Sequence, residues 1–185
     1  MSNIFFTSDW HFNHSKEFIY QKRGFKNVYE MNEEIVKRHN EVVKPTDIVY
    51  FLGDAMFGNI DDSINYVRRL YGEFYAIIGN HDTDNKRALL RSLLPNWHEI
   101  GLANVTKENG LRFYLCHYPT ITAEPIEQKQ LRSRTLCLYG HTHQQTKFYD
   151  NKNPYIYNVG VDSHNCYPVS IEQIISDITK KEGNI

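Results

Sequence analysis

Short apolar runs alternate with polar clusters along most of this chain. The runs 4–6, 48–52, 74–78 and 136–139 are bounded, apolar and too short for helices, so they predict buried strands. Between the first two, Met31, Ile35, Val36, His39, Val42 and Val43 recur at helical spacing. Pro45-Thr46-Asp47 ends that helix, and His39 falls on its face rather than in a ligand set. Asp61 is expected to cap a second helix carrying Ile64, Val67, Leu70 and Tyr71, with Gly72 as its terminator. A third helix is expected over 85–94.

The second half carries hairpin signals. Asn109-Gly110 lies between runs 103–106 and 111–116, the strongest tight-turn signature in the chain, and residues 150–154 separate two further short runs. Ser170 and Gln173 form a capping-box pair, with Val169 and Ile174 as the matching hydrophobic staple of a C-terminal helix. Residues 180–185 read as a frayed tail. This order of elements suits two packed sheets flanked by helices, within a single domain over 1–185.

Four polar clusters follow the apolar runs: Asp9-Trp10-His11, Gly53-Asp54, Gly79-Asn80-His81-Asp82 and Gly140-His141-Thr142-His143, with His117 before the last. Strand ends are where open sheets carry ligand sites. In extended chain, residues two apart point to one side, so Asp9 with His11, and His141 with His143, are each expected to act as a clamp. Mixed imidazole and carboxylate donors suit zinc, manganese, iron or nickel better than calcium, and the set reads as a two-metal hydrolase site.

The ordered series Asp-x-His, Gly-Asp, Gly-Asn-His-Asp, His and Gly-His-x-His resembles the calcineurin-like metallophosphoesterase superfamily. The opening Ser8-Asp9-Trp10-His11-Phe12-Asn13-His14 and the close Asn158-Val159-Gly160-Val161-Asp162 are similar to a branch of small, single-domain bacterial and phage phosphoesterases. The resemblance implies a four-layer α/β/β/α sandwich of two mixed sheets. It also implies two divalent transition metals, with manganese favoured for activity. Asp9, His11 and His143 would hold one, Asn80, His117 and His141 the other, and Asp54 would bridge them. A bridging hydroxide would attack phosphorus in line, with His81 as general acid and Asp82 orienting its imidazole.

One departure bears on the substrate. Protein phosphatases of this superfamily follow Gly-Asp with Asp-Arg, whereas Gly53-Asp54 continues Ala55-Met56-Phe57-Gly58, without the phosphate-gripping arginine. That favours a phosphodiesterase. Phosphomonoesterase and nucleotide pyrophosphohydrolase activities are the alternatives, and a non-catalytic metal-binding scaffold is less favoured. Candidate substrate contacts are His14, Arg23, and Arg132 with Arg134 on the connection 118–134. That connection is expected to have both ends beside the metals and to offer a basic rim to a nucleotide or nucleic-acid diester.

The 185 residues are 41% hydrophobic and 14% aromatic, enough for a sizeable core. The formal net charge of -1 gives no broad electrostatic footprint for duplex nucleic acid. No stretch is long and apolar enough for a secretion signal or membrane span. Three cysteines, Cys116, Cys137 and Cys166, lack metal-finger spacing. Together these suggest a reduced, cytoplasmic setting with no membrane partner. Oligomeric state is not legible.

Overall fold

A computed structural model describes residues 2–121, 131, 134–150 and 152–183. The apolar runs become β1 (Ile4–Thr7), β2 (Ile48–Phe51), β3 (Glu73–Ile77) and β7 (Thr135–Tyr139), joined by β4 (Trp97–Gly101), β5 (Ala103–Glu108), β6 (Leu111–Cys116), β8 (Ile156–Asn158) and β9 (Val169–Ser170). One sheet runs β4-β3-β2-β1-β9 and the other β5-β6-β7-β8. Both are mixed. β1 to β4 are parallel with β9 antiparallel to β1, and β6, β7 and β8 are parallel with β5 antiparallel to β6.

Alternation along the strands builds two cores. Phe6, Tyr50, Leu52 and Ile77 face Phe113, Leu115, Leu138 and Tyr157 between the sheets. Phe5, Val49, Phe51, Phe74 and Trp97 point to the other face of the first sheet. There they meet Met31, Ile35 and Val36 of α2 (Val28–Val42), Ile64 and Val67 of α3 (Ile60–Val67), and Leu90 of α4 (Asp84–Leu93). A short α1 (Glu17–Tyr20) precedes them. The last helix, α5 (Ile171–Glu182), contributes Ile171, Ile174 and Ile178 to the intersheet core.

Several local expectations meet their physical cause here. Asn109 and Gly110 both take positive φ, 50° and 79°, as a two-residue hairpin between right-twisted strands requires. Ser170 accepts from the Gln173 amide, but the Gln173 side chain donates to Asp177 instead of returning to Ser170, so only half the capping box forms. Helix α3 is capped by Asn59, whose side chain accepts from the Asp61 and Asp62 amides; Asp61 sits in the first turn and not at the cap. Lys180, Lys181 and Glu182 complete α5 instead of fraying. The three cysteines are buried and form no disulfide among the described residues.

The connection 118–134 departs from expectation. Because β6 and β7 are parallel, a chain leaving the end of β6 at His117 must cross back to the start of β7, at the opposite end of the sheet. Only one end of it lies beside the polar clusters. Among the described residues no helix is long and apolar enough to cross a membrane.

Candidate metal centre

The two sheets bring six strand ends to one place. β1 delivers Asp9 and His11, β2 Gly53-Asp54, and β3 Gly79-Asn80; β6 delivers His117, β7 the segment 140–143, and β8 the Asn158–Asp162 segment. A parallel bridge between Ser8 and Gly160 joins the sheets at this edge. The backbones pack too closely there for side chains. A Cβ on Gly79 would lie 2.2 Å from Asp54 Oδ1, and one on Gly140 the same distance from Asp9 Oδ2.

The clamp geometry differs from the extended one expected. Asp9, His11, Asp54, His141 and His143 have φ of 60°, 48°, 65°, 66° and 50°. Convergence therefore comes from left-handed residues past the strand ends, a conformation in which Asp and His are enriched among non-glycines.

The resulting cluster is dense in acceptors. His11 Nε2 lies 3.1 Å from His143 Nε2, 3.5 Å from Asp54 Oδ2 and 3.8 Å from Asp9 Oδ1. His117 Nε2 lies 3.4 Å from Asp54 Oδ2 and 2.8 Å from Asn80 Oδ1, which is also 2.9 Å from His141 Nδ1. Asp9, His11 and His143 form one group able to hold a metal ion, and Asp9, Asp54 and His117 another. Two of the outer nitrogens are occupied: His117 Nδ1 donates to the Leu52 carbonyl at 2.7 Å, and His143 Nδ1 faces Asp162 Oδ2 at 2.9 Å. That is the usual support for a ligating imidazole. His11 Nδ1 has no such partner among the described residues.

Electrostatics favour positive charge at this place. Asp9 and Asp54 are both 1% exposed, and among the described residues neither pairs with Lys or Arg. Burial pushes the Asp9 carboxyl up. Burial opposes charge on Asp54 as well, yet the hydrogen bond and attraction from His117, with help from His11, hold it down at about 2. His117 answers in kind: its burial lowers it, but Asp54 and Asp9 raise it to about 9.

His81 sits on the rim, its ring 5.4 Å from that of His11 and 5.1 Å from that of Phe57. Its backbone amide donates to Asp54 Oδ1 at 2.8 Å, while its ring nitrogens have no hydrogen-bond partner among the described residues. Asp82 does not orient that ring. Its carboxylate accepts from the amides of Gly79 and Asp54 at 2.8 Å each and of Ala55 at 3.2 Å, which ties the β2 and β3 loops together.

The candidate substrate contacts fare differently. His14 stacks on Phe57 at 4.0 Å behind His11 and is buried. Arg23 is no substrate grip and no solvated charge. Its side chain is 1% exposed, and its guanidinium donates to Asp162 and to the carbonyls of Asp9 and Trp10. Arg134 is buried against the Tyr155 ring, 4.2 Å from its centroid, at the start of β7 and thus away from the cluster. Arg132 lies outside the described residues. Sequence reasoning gave no role to Asp162 or Ser8, whose hydroxyl donates to Asp9 Oδ2 at 2.5 Å. The position of Asp162 just past a strand end, like the other clusters, was the available signal.

The sequence model of the calcineurin-like phosphoesterase superfamily domain matches residues 3–165. The uncharacterized protein MJ1445 of Methanocaldococcus jannaschii is 32% identical over 186 residues, covering 97% of this chain and 93% of that one. The Gene 66 protein of Mycobacterium phage D29 is 26% identical over 198 residues, covering 96% and 98%. Among solved structures, the protein of unknown function AQ665 from Aquifex aeolicus has the same fold, with a TM-score of 0.70 at 23% identity over 95% of this chain and 99% of that one. With a match of that extent on a two-sheet fold whose strand ends gather Asp and His donors, the chain belongs to the calcineurin-like phosphoesterase superfamily.

Proposed function

We propose that this chain is a dinuclear-metal phosphoester hydrolase that prefers diesters. Membership of the superfamily implies metal-dependent phosphoester hydrolysis. The observation that carries the dinuclear reading is the convergence of two buried carboxylates, without Lys or Arg partners among the described residues, on imidazole and amide acceptor atoms. A protonated His117 offsets part of that buried charge, and the rest costs several kcal/mol per ion, roughly, unless cations neutralise it. Asp9, His11 and His143 would hold one ion and Asn80, His117 and His141 a second, with Asp54 serving both. When bound, two divalent transition metals, manganese first among Mn, Fe, Zn and Ni, supply charge neutralisation on the phosphoryl oxygens and a nucleophile from water at neutral pH.

The protein's own groups do the rest. His81, on the rim with its ring nitrogens uncommitted, is placed to give a proton to the leaving oxygen. The diester preference is supported by the cations nearby. The Arg23 fork is spent on Asp162 and backbone carbonyls. Lys22 reaches the His143 carbonyl, and Lys86 donates to the Met56 and His81 carbonyls at 2.6 and 2.8 Å. A diester monoanion asks less of such groups than a monoester dianion does. Candidate natural substrates are a nucleotide or nucleic-acid diester.

Metal titration followed by elemental analysis should give two ions per chain, and Asp54→Asn should weaken both. Saturation at one ion would overturn the dinuclear reading. With manganese restored, kcat/KM should be higher for bis(p-nitrophenyl) phosphate than for p-nitrophenyl phosphate; the reverse order would move the assignment to monoesters.

A further inference from the structure

The turn 21–24, outside the donor cluster, ties three of its loops together. Arg23 Nε and Nη2 donate to Asp162 Oδ1 and Oδ2 at 3.1 and 2.8 Å, Nη2 also to the Asp9 carbonyl at 2.9 Å, and Nη1 to the Trp10 carbonyl at 3.1 Å. Asp162 Oδ2 faces His143 Nδ1 at 2.9 Å. Beside it, the Lys22 ammonium donates to the His143 carbonyl, and the Gln145 amide donates to the Lys22 carbonyl at 3.1 Å. The loop after β1, the His143 loop and the 3₁₀ turn Val161–Ser163 after β8 are therefore fixed to one short stretch of chain.

The chemistry of the middle group decides what this does. Asp162 takes both arms of the buried Arg23 guanidinium, one on each oxygen, at 3.1 and 2.8 Å, the geometry of an ionised carboxylate. An ionised carboxylate only accepts hydrogen bonds. A neutral imidazole facing it must place its single proton on Nδ1, which leaves Nε2 with a bare lone pair. That Nε2 points at His11 Nε2, 3.1 Å away.

We propose that Arg23 and Asp162 are positioning residues that lock His143 in its Nδ1–H tautomer and fix its ring, so that Nε2 permanently offers its lone pair toward the Asp9 and His11 side of the cluster. Asp162 acts on the imidazole, and Arg23 acts through Asp162 while holding the Asp9 and Trp10 carbonyls. The identity of what meets the Nε2 lone pair rests on the dinuclear reading above; the tautomer does not.

The test reads the two parts separately. In ¹⁵N-labelled protein without added metal, at a pH where the ring is neutral, long-range nitrogen–proton correlation should show His143 protonated at Nδ1 and bare at Nε2. A ring protonated at Nε2 overturns the proposal. Asp162→Ala strands the buried Arg23 charge and is open to misfolding, so the informative variant is the double Arg23→Met, Asp162→Leu, which buries no unpaired ion. It should show a mixture of tautomers. In metal titration, one of the two binding steps should weaken by about 10- to 100-fold, and that step should be the one lost in His143→Ala. Equal weakening of both steps, or an unchanged tautomer, would assign Arg23 and Asp162 a purely structural role. One ion per chain in the unaltered protein, with the Nδ1–H tautomer intact, would instead sink the dinuclear reading and leave the tautomer lock standing.

Discussion

Asp9, His11, Asp54, His141 and His143 all hold positive φ, and each such residue costs roughly 1–3 kcal/mol unless its surroundings enforce it. The surroundings do so through backbone bonds: Asp9 N to Gly53 O at 3.0 Å, His11 N to Asp54 O at 3.1 Å, and His141 N to the Asp9 carboxylate at 3.0 and 3.1 Å. The donors thus hold one another in place across loops from both sheets. The His81 side chain stands outside that lattice, since only its backbone takes part. His81→Ala should therefore leave metal content and stability near those of the unaltered protein while turnover on an alkyl diester falls about 10²- to 10⁴-fold. The deficit should shrink with p-nitrophenolate as leaving group, which needs little protonation. An equal deficit on both leaving groups would make His81 a substrate-positioning residue.

At the scale of elements, the strands and most helices were legible because burial on both sides of a sheet leaves short uninterrupted apolar runs, as at 48–52 and 74–78. The strand-end location of the donors was legible for the same reason. Roles that depend on long-range partners were not. Arg23 meets Asp162 across 139 positions, and nothing local marks an arginine as buried. Asp82, beside His81 in sequence, was expected to serve its neighbour, yet its oxygens turn to the Asp54 and Ala55 amides. The mispredicted course of 118–134 had a readable remedy, since two parallel strands always return the chain to the far end. Two substitutions separate these roles. Asp82→Asn should loosen the β2–β3 loop junction, lowering stability by roughly 1–3 kcal/mol in urea unfolding and weakening metal retention, unlike His81→Ala. Asn59→Ala should cost about 1 kcal/mol through loss of the α3 cap, and Asp61→Ala clearly less. Equal costs at 59 and 61 would return the cap to Asp61.

Over the whole molecule, the first sheet is buried on both faces, and its helix-side core encloses a polar group that links folding to pH. His39 of α2 is fully buried, packed edge-on against Trp10 at 5.9 Å and stacked on Phe74 at 5.8 Å, with Nε2 donating to the Tyr71 carbonyl at 2.8 Å. Burial lowers its pKa to about 4, against 6.5 for an ordinary histidine, although the Tyr71 bond opposes the shift. In the folded chain the ring stays neutral where the unfolded chain has already taken up a proton. The unfolded state binds more protons between about pH 6.5 and 4, so stability is full above that window and is lost as pH falls through it. Other groups titrate in the same range, His14 and His164 among them, each lowered to about 4 by burial, so the measurement must be a difference. His39→Gln keeps an amide donor for Tyr71 and removes the titrating group. Urea unfolding of both proteins, stripped of metal, should show the unaltered chain losing on the order of 2–3 kcal/mol relative to the variant between pH 7 and pH 4. A pH-independent difference would mean that His39 is protonated in the fold, or that water reaches it, and the sealed helix-side core described above would be wrong at that point.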